Sequence, residues 1–92
     1  MTSRRSKMEL LCEVLESIDQ GDNKPTHILY NSRTSWSVLQ KLLDFSMEKE
    51  YIVERKARED DSTKRVVYQL TSEGKEVLHN MKHLKNTLNI NA

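Results

Sequence analysis

The side chains of this 92-residue sequence best suited to metal binding or nucleophilic chemistry are few: His27, His79, His83 and a single cysteine, Cys12. His79 and His83 stand four apart, a spacing that sets two imidazoles on one face of a helix and permits a shared metal ion. No third ligand type clusters with them, and they fall opposite the apolar stripe Val77, Met81, Leu84 and Leu88, so two solvated histidines and no metal site are expected. His27, beside Pro25 and Thr26, is expected to contact or hydrogen-bond the start of a helix. Cys12 falls within a helical apolar pattern and reads as a small buried side chain. A lone cysteine allows no intramolecular disulfide and suits a reducing cytoplasm. There is no nucleophile–base arrangement and no glycine loop that could cradle phosphate, so neither catalysis nor a cofactor is expected.

Basic and polar groups offer a different chemistry. The formal net charge of +1 decides nothing by itself, because recognition of a polyanion depends on where positive charge collects. Arg4, Arg5 and Lys7 lie together near the N-terminus, where they could add nonspecific attraction. Arg55, Lys56, Arg58, Lys64 and Arg65 lie in the span 54–65 with Glu54, Glu59, Asp60 and Asp61. These cations can hold phosphates or form cross-strand ion pairs with those acids. A third group is Ser35, Ser37, Gln40 and Lys41, with Arg33 just before it. A helix that enters the major groove needs short polar and basic groups near its N-terminus. Gln can pair bidentately with adenine, Lys can reach guanine or a phosphate, and Arg33 is placed to touch the phosphate backbone. A merely solvated helix face would carry the same residue types. Trp36 can wedge between helices or lie against sugar–phosphate.

The elements that must position these groups can be read from spacing. Ser6 and Glu9 have the spacing of a capping box, and Leu11, Val14, Leu15 and Ile18 follow with helical period, so a first helix is expected over roughly 7–20, ended by Gly21. Pro25 opens a second helix, with Ile28 and Leu29 as its apolar side. That helix should be short, because NSRTS at 31–35 is turn chemistry. Ser35 or Thr34 caps a third helix over roughly 36–49, with Leu39, Leu42, Leu43, Ser46 and Met47 turned inward and Ser37, Gln40, Lys41, Asp44 and Glu48 outside. Two β-type runs follow, Tyr51–Arg58 and Lys64–Leu70, and in the second Val66, Tyr68 and Leu70 alternate with Arg65, Val67 and Gln69. Thr71 caps a last helix without any intervening loop. Gly74 in its first turn lets that helix pass close to the hairpin. The stripe Val77, Met81, Leu84 and Leu88 has the a/d spacing of a coiled coil, although it could also fold back on the first helix, and only about two heptads are available.

Helix, short helix, turn, helix, hairpin, helix is the order of a winged helix-turn-helix domain. THILY (26–30), SWSVLQKLLDF (35–45) and LTSEGKEVL (70–78) resemble the signatures of small archaeal winged helix-turn-helix DNA-binding proteins, over about residues 6–84. That resemblance implies dimerisation through a C-terminal coiled-coil helix and a role in chromatin or transcriptional regulation. The family usually has Gly after the third helix, where this chain has Glu50, so the turn there differs or is mildly strained. Glu59, Asp60 and Asp61 at the wing tip would repel a phosphate backbone.

The expected fold class is therefore α+β, mainly helical: three helices, a β-hairpin wing and an extended C-terminal helix. The expected organisation is a disordered basic segment at 1–5, a winged-helix domain at 6–71, and a dimerisation helix and tail at 72–92. DNA contacts are expected from Arg33, Ser35, Trp36, Ser37, Gln40 and Lys41, and from the wing residues Arg55, Lys56, Arg58, Lys64 and Arg65. Val77, Met81, Leu84 and Leu88 are expected to join two copies. No apolar stretch is long enough for a signal peptide or a membrane span, so a soluble, cytoplasmic, nucleoid-associated homodimer on double-stranded DNA is the leading expectation. A winged helix serving as a protein-interaction module is the alternative.

Overall fold

The computed structural model describes residues 6–56 and 66–88. Within them run α1 (Lys7–Asp19), α2 (Pro25–Ser32), α3 (Trp36–Glu48), β1 (Ile52–Lys56), β2 (Val66–Leu70) and α4 (Ser72–Leu88). The expected segments 1–5 and 89–92, the wing tip and three wing cations (Arg58, Lys64 and Arg65) lie outside the described residues.

α1 begins as its sequence dictates. Glu9 N–H donates to Ser6 Oγ and Ser6 N–H donates to Glu9 Oε1, at 3.1 and 2.9 Å, which satisfies two of the donors a helix start leaves orphaned. At the other end Gly21 adopts φ +99°. Its N–H reaches Ile18 O and the Asp22 N–H reaches Ser17 O, the paired bonds of a Schellman ending.

α2 runs two residues further than the turn chemistry implied. Asn31 and Ser32 remain helical, and the break falls at Arg33, whose φ of 52° and ψ of 50° are left-handed. The reason is where their side chains bond. Ser32 Oγ donates to the Ile28 carbonyl at 2.7 Å, and Asn31 Nδ2 donates to Ser17 Oγ and Asp22 Oδ2 at 3.0 and 3.1 Å. The Ser32 hydroxyl bonds back within its own helix, and tertiary partners absorb the Asn31 amide that the isolated segment would have spent on a turn.

α3 is capped by Ser35, which accepts from Val38 N–H at 3.2 Å, and it ends in a second Schellman pair: Glu50 N–H to Met47 O and Tyr51 N–H to Ser46 O. Glu50 occupies the left-handed position of that motif, with φ 64°. The turn after α3 thus keeps the geometry a glycine would give, with a glutamate in its place.

β1 and β2 pair antiparallel, Ile52 opposite Leu70 and Lys56 opposite Val66. Within the described residues β1 begins one residue later than its sequence run, since Tyr51 precedes it and serves the turn, and β2 fills its run from Val66. The free side of β2 is partly covered, because Tyr68 N–H donates to the Asn23 carbonyl of the α1–α2 loop at 3.0 Å. Val14, Leu15, Ile28, Leu39 and Leu43 are wholly buried, with Ile18, Ile52, Tyr68, Leu70 and Leu78 closing the core around them. Cys12 belongs to this core, and burial, the largest cause, pushes its thiol pKa up.

Candidate nucleic-acid interface

α3 presents one face to the core and the other to solvent because its apolar residues recur at helical spacing. Leu39, Leu43 and Ser46 are buried, whereas Ser35, Ser37, Lys41 and Asp44 are exposed and Gln40 is half-buried. Arg33, also exposed, sits in the left-handed turn at the same end. Five of the six residues expected to touch DNA there thus share the solvent side of the α2–α3 turn and α3, with Gln40 at its margin. Ser35 is partly committed, since its hydroxyl caps the helix and lies 3.4 Å from Ser37 Oγ.

Trp36 is half exposed and stands in the first turn of α3 beside the polar group. Tyr30, which sequence reasoning overlooked, is 83% exposed on α2. It lines a shallow depression with Thr26, Leu29, Asn31 and Arg33. Only its position opposite Ile28 on α2 could have marked it, and that signal equally fits any solvated tyrosine.

The hairpin divides its cations. Side chains alternate between faces, so Arg55 shares one face with Val53, Val67 and Gln69, and Lys56 shares the other with Glu54, Val66 and Tyr68. In the observed register Arg55 stands opposite Val67 and Lys56 opposite Val66. Neither directly faces an acid across the ladder. Glu54, opposite Tyr68, is hydrogen-bonded to the Tyr68 phenol; burial first, then the charges of Glu54 and Asp44, raise that phenol's pKa.

α4 has two unlike flanks on either side of its contact with α1. Leu78 is buried, and Lys82 Nζ lies 3.4 Å from Glu16 Oε2, tying the two helices together. Val77 and Met81 are half-buried against the core, while Leu84 is 42% exposed. The Leu88 side chain lies outside what is described. Met8 on α1, which sequence reasoning did not single out, is 46% exposed. On the other flank Lys75, His79, Lys82, His83 and Asn86 line a groove with Asp19 and Leu78. His79 and His83 are exposed there. His27 is exposed too, with Nδ1 3.9 Å from Asp22 Oδ1. Among the described residues no group of three or more His, Cys, Asp or Glu is placed to hold a metal ion, and no helix is long and apolar enough to cross a membrane.

Residues 4–89 match the winged helix-turn-helix family. The chain belongs to that family. Its α2–turn–α3 segment is the helix-turn-helix, and β1 and β2 form the base of the wing. MJ0287, an uncharacterized protein of Methanocaldococcus jannaschii, is 26% identical over 86 residues, which span 94% of this chain and 79% of that one. Among solved structures, Sso10a-2, a DNA-binding protein from Sulfolobus solfataricus, superposes with a TM-score of 0.74 at 20% identity, covering 94% of this chain and 85% of its own. A PadR family transcription regulator from Clostridium difficile gives a TM-score of 0.79 at 20% identity, covering 87% and 90%. At these identities the structural likeness establishes the winged-helix fold.

Proposed function

We propose that this winged helix is a DNA-binding protein, a homodimeric transcriptional regulator or chromatin-associated protein that places α3 in the major groove. The observation that carries the reading is the composition of the solvent face of α3 and the turn before it. Arg33, Ser37 and Lys41 are exposed there, and Gln40 is accessible at its edge. Such a face can enter a groove at its N-terminal end while the turn touches phosphate. The fold is shared with a protein described as DNA-binding and with one described as a transcription regulator, which supports the same assignment. The protein acts by binding, without catalysis, on cytoplasmic, nucleoid DNA.

Residues 6–71 form the DNA-binding unit in this reading, and 72–92 supply the helix that joins two copies. Dimerisation is supported by Leu84, an exposed leucine continuing the stripe of Val77 and Met81 beyond the core. A second copy presents the same stripe to itself about a two-fold axis, and Leu88 extends the seam by one more position. Two α3 helices could then meet one duplex about one helical turn apart. Arg55 and Lys56 contact flanking phosphates, and Arg58, Lys64 and Arg65 extend that contact.

Titration of duplex DNA at increasing salt tests the reading. Each phosphate neutralised contributes a log–log slope of about −0.9, so a dimer with about six such contacts loses on the order of 10³ in affinity between 50 and 200 mM salt. A flat response, or no binding to duplex at low salt, favours the protein-interaction module instead.

A further inference from the structure

One side-chain pair on α3 fixes the orientation of an amide. Gln40 Nε2 donates to Asp44 Oδ1 at 3.1 Å, one helical turn away. A carboxylate oxygen only accepts, and an amide oxygen has nothing to donate, so the nitrogen end of Gln40 must face Asp44. Half of the orientational freedom of that amide is thereby removed. What Gln40 still has to offer is its carbonyl oxygen, an acceptor, and the second hydrogen of Nε2, a donor.

That remaining pair matches one base edge better than the others. Adenine shows an acceptor at N7 beside a donor at N6, whereas guanine shows two acceptors, N7 and O6. A Gln free to rotate can turn its amine toward guanine, but one held by Asp44 meets O6 with its own carbonyl oxygen. The surroundings reinforce the choice, because the Asp44 carboxylate is itself exposed on α3, one turn from Gln40. A carboxylate beside the reading face favours base edges that donate hydrogen bonds over edges that only accept.

We propose that Asp44 is a positioning residue that holds Gln40 as an adenine reader in the major groove and disfavours guanine at that base pair. The proposal rests on the DNA-binding reading above and specifies what that surface selects.

The test uses the full chain and a duplex selected from a random pool. The contacted adenine is identified as the base whose preference disappears in Gln40→Ala. Replacing that adenine by guanine should weaken wild-type binding about 5- to 150-fold, and replacing it by 7-deazaadenine, which lacks only the N7 acceptor, should weaken it several-fold. Asp44→Ala should reduce the adenine-to-guanine ratio to near unity while binding unrelated duplex at least as tightly as wild type, because a negative charge has been removed. Asp44→Asn, whose side-chain oxygen can still accept from Gln40, should keep most of the discrimination. A merely structural role for Asp44 would weaken every duplex alike. That result overturns the proposal, as does wild-type discrimination in Asp44→Ala, or indifference of the wild type to 7-deazaadenine. Selected sites with no Gln40-dependent adenine overturn this inference alone. Absence of any duplex binding overturns the DNA-binding reading and this inference with it.

Discussion

Gly74, in the first turn of α4, lies so close to the Tyr51 carbonyl that a Cβ at position 74 would collide with that oxygen. The same carbonyl accepts from Thr71 N–H at 2.9 Å. Thr71 Oγ1 donates to the Glu50 carbonyl at 2.6 Å and accepts from Gly74 N–H at 3.0 Å. The end of α3, the start of β1 and the start of α4 are thus held within one set of short bonds, with backbone as the obstacle and no flexible side chain to give way. Gly74→Ala should destabilise the fold by roughly 1–3 kcal/mol or more, although alanine is the better helix former by about 1 kcal/mol. Urea unfolding of the two proteins measures the sign. A stabilised Gly74→Ala would mean that α4 does not approach Tyr51 this closely.

Glu50 holds a left-handed conformation at φ 64° in the ending of α3. An L-residue pays about 1–2 kcal/mol for that conformation, and glycine avoids it at the cost of a more flexible unfolded chain. The net expectation for Glu50→Gly is a gain of about 0.5–1 kcal/mol, seen as a higher urea midpoint with an unchanged slope. The Thr71 bond goes to the backbone oxygen of Glu50 and should survive. A lower midpoint would show that the glutamate side chain contributes more than its backbone costs.

Alkaline pH should destabilise the protein. Burial raises the Cys12 pKa above its ordinary 9.0, and burial followed by the Glu54 and Asp44 charges raises Tyr68 above 10.0. The folded state therefore keeps protons that the unfolded chain gives up, so stability is full below the unfolded values and falls as pH rises through the folded ones. Thermal melts from pH 8 upward should show a decline that begins near pH 9, and Cys12→Ala with Tyr68→Phe should make it shallower. The Cys12 thiol should also alkylate far more slowly in native protein than in urea. Rapid native alkylation would place Cys12 outside the core.

Leu84→Glu should convert a dimer into a folded monomer by sedimentation. The side chain is 42% exposed, so a charge there is tolerated by the protomer and opposed only by a partner. Covering the exposed part of one leucine contributes about 1 kcal/mol per protomer, and the added desolvation of a charge in the seam is larger. DNA binding should weaken as the second contact surface is lost. Wild-type protein that already sediments as a monomer would sink the dimer, and a Leu84→Glu protein that unfolds would assign this leucine to the protomer's own core.

The local chemistry of the helix ends was readable in the sequence. Ser6 with Glu9, Gly21, Pro25, Ser35 and the capping bond of Thr71 each act within three residues, and each end lies within a residue or two of where those residues place it. The inner stripe of α3 was readable for the same reason, since a fixed period of 3.6 residues determines which side chains share a face. Even the need for close approach at Gly74 followed from its place between strand and helix. What the tertiary structure decided involves partners distant in the chain. Asn31 remains helical with its amide on Ser17 and Asp22, which belong to α1 and the loop after it. The ladder register places Arg55 and Lys56 opposite valines on different faces of the wing, and a one-residue slip, invisible in the sequence, would exchange those faces. The apolar stripe of α4 is one pattern in sequence but two environments in space: the core half-buries Val77 and Met81 and leaves Leu84 to solvent. Periodicity records which residues lie on one side of a helix, and only the packing of α4 on α1 determines how far along that side the core extends.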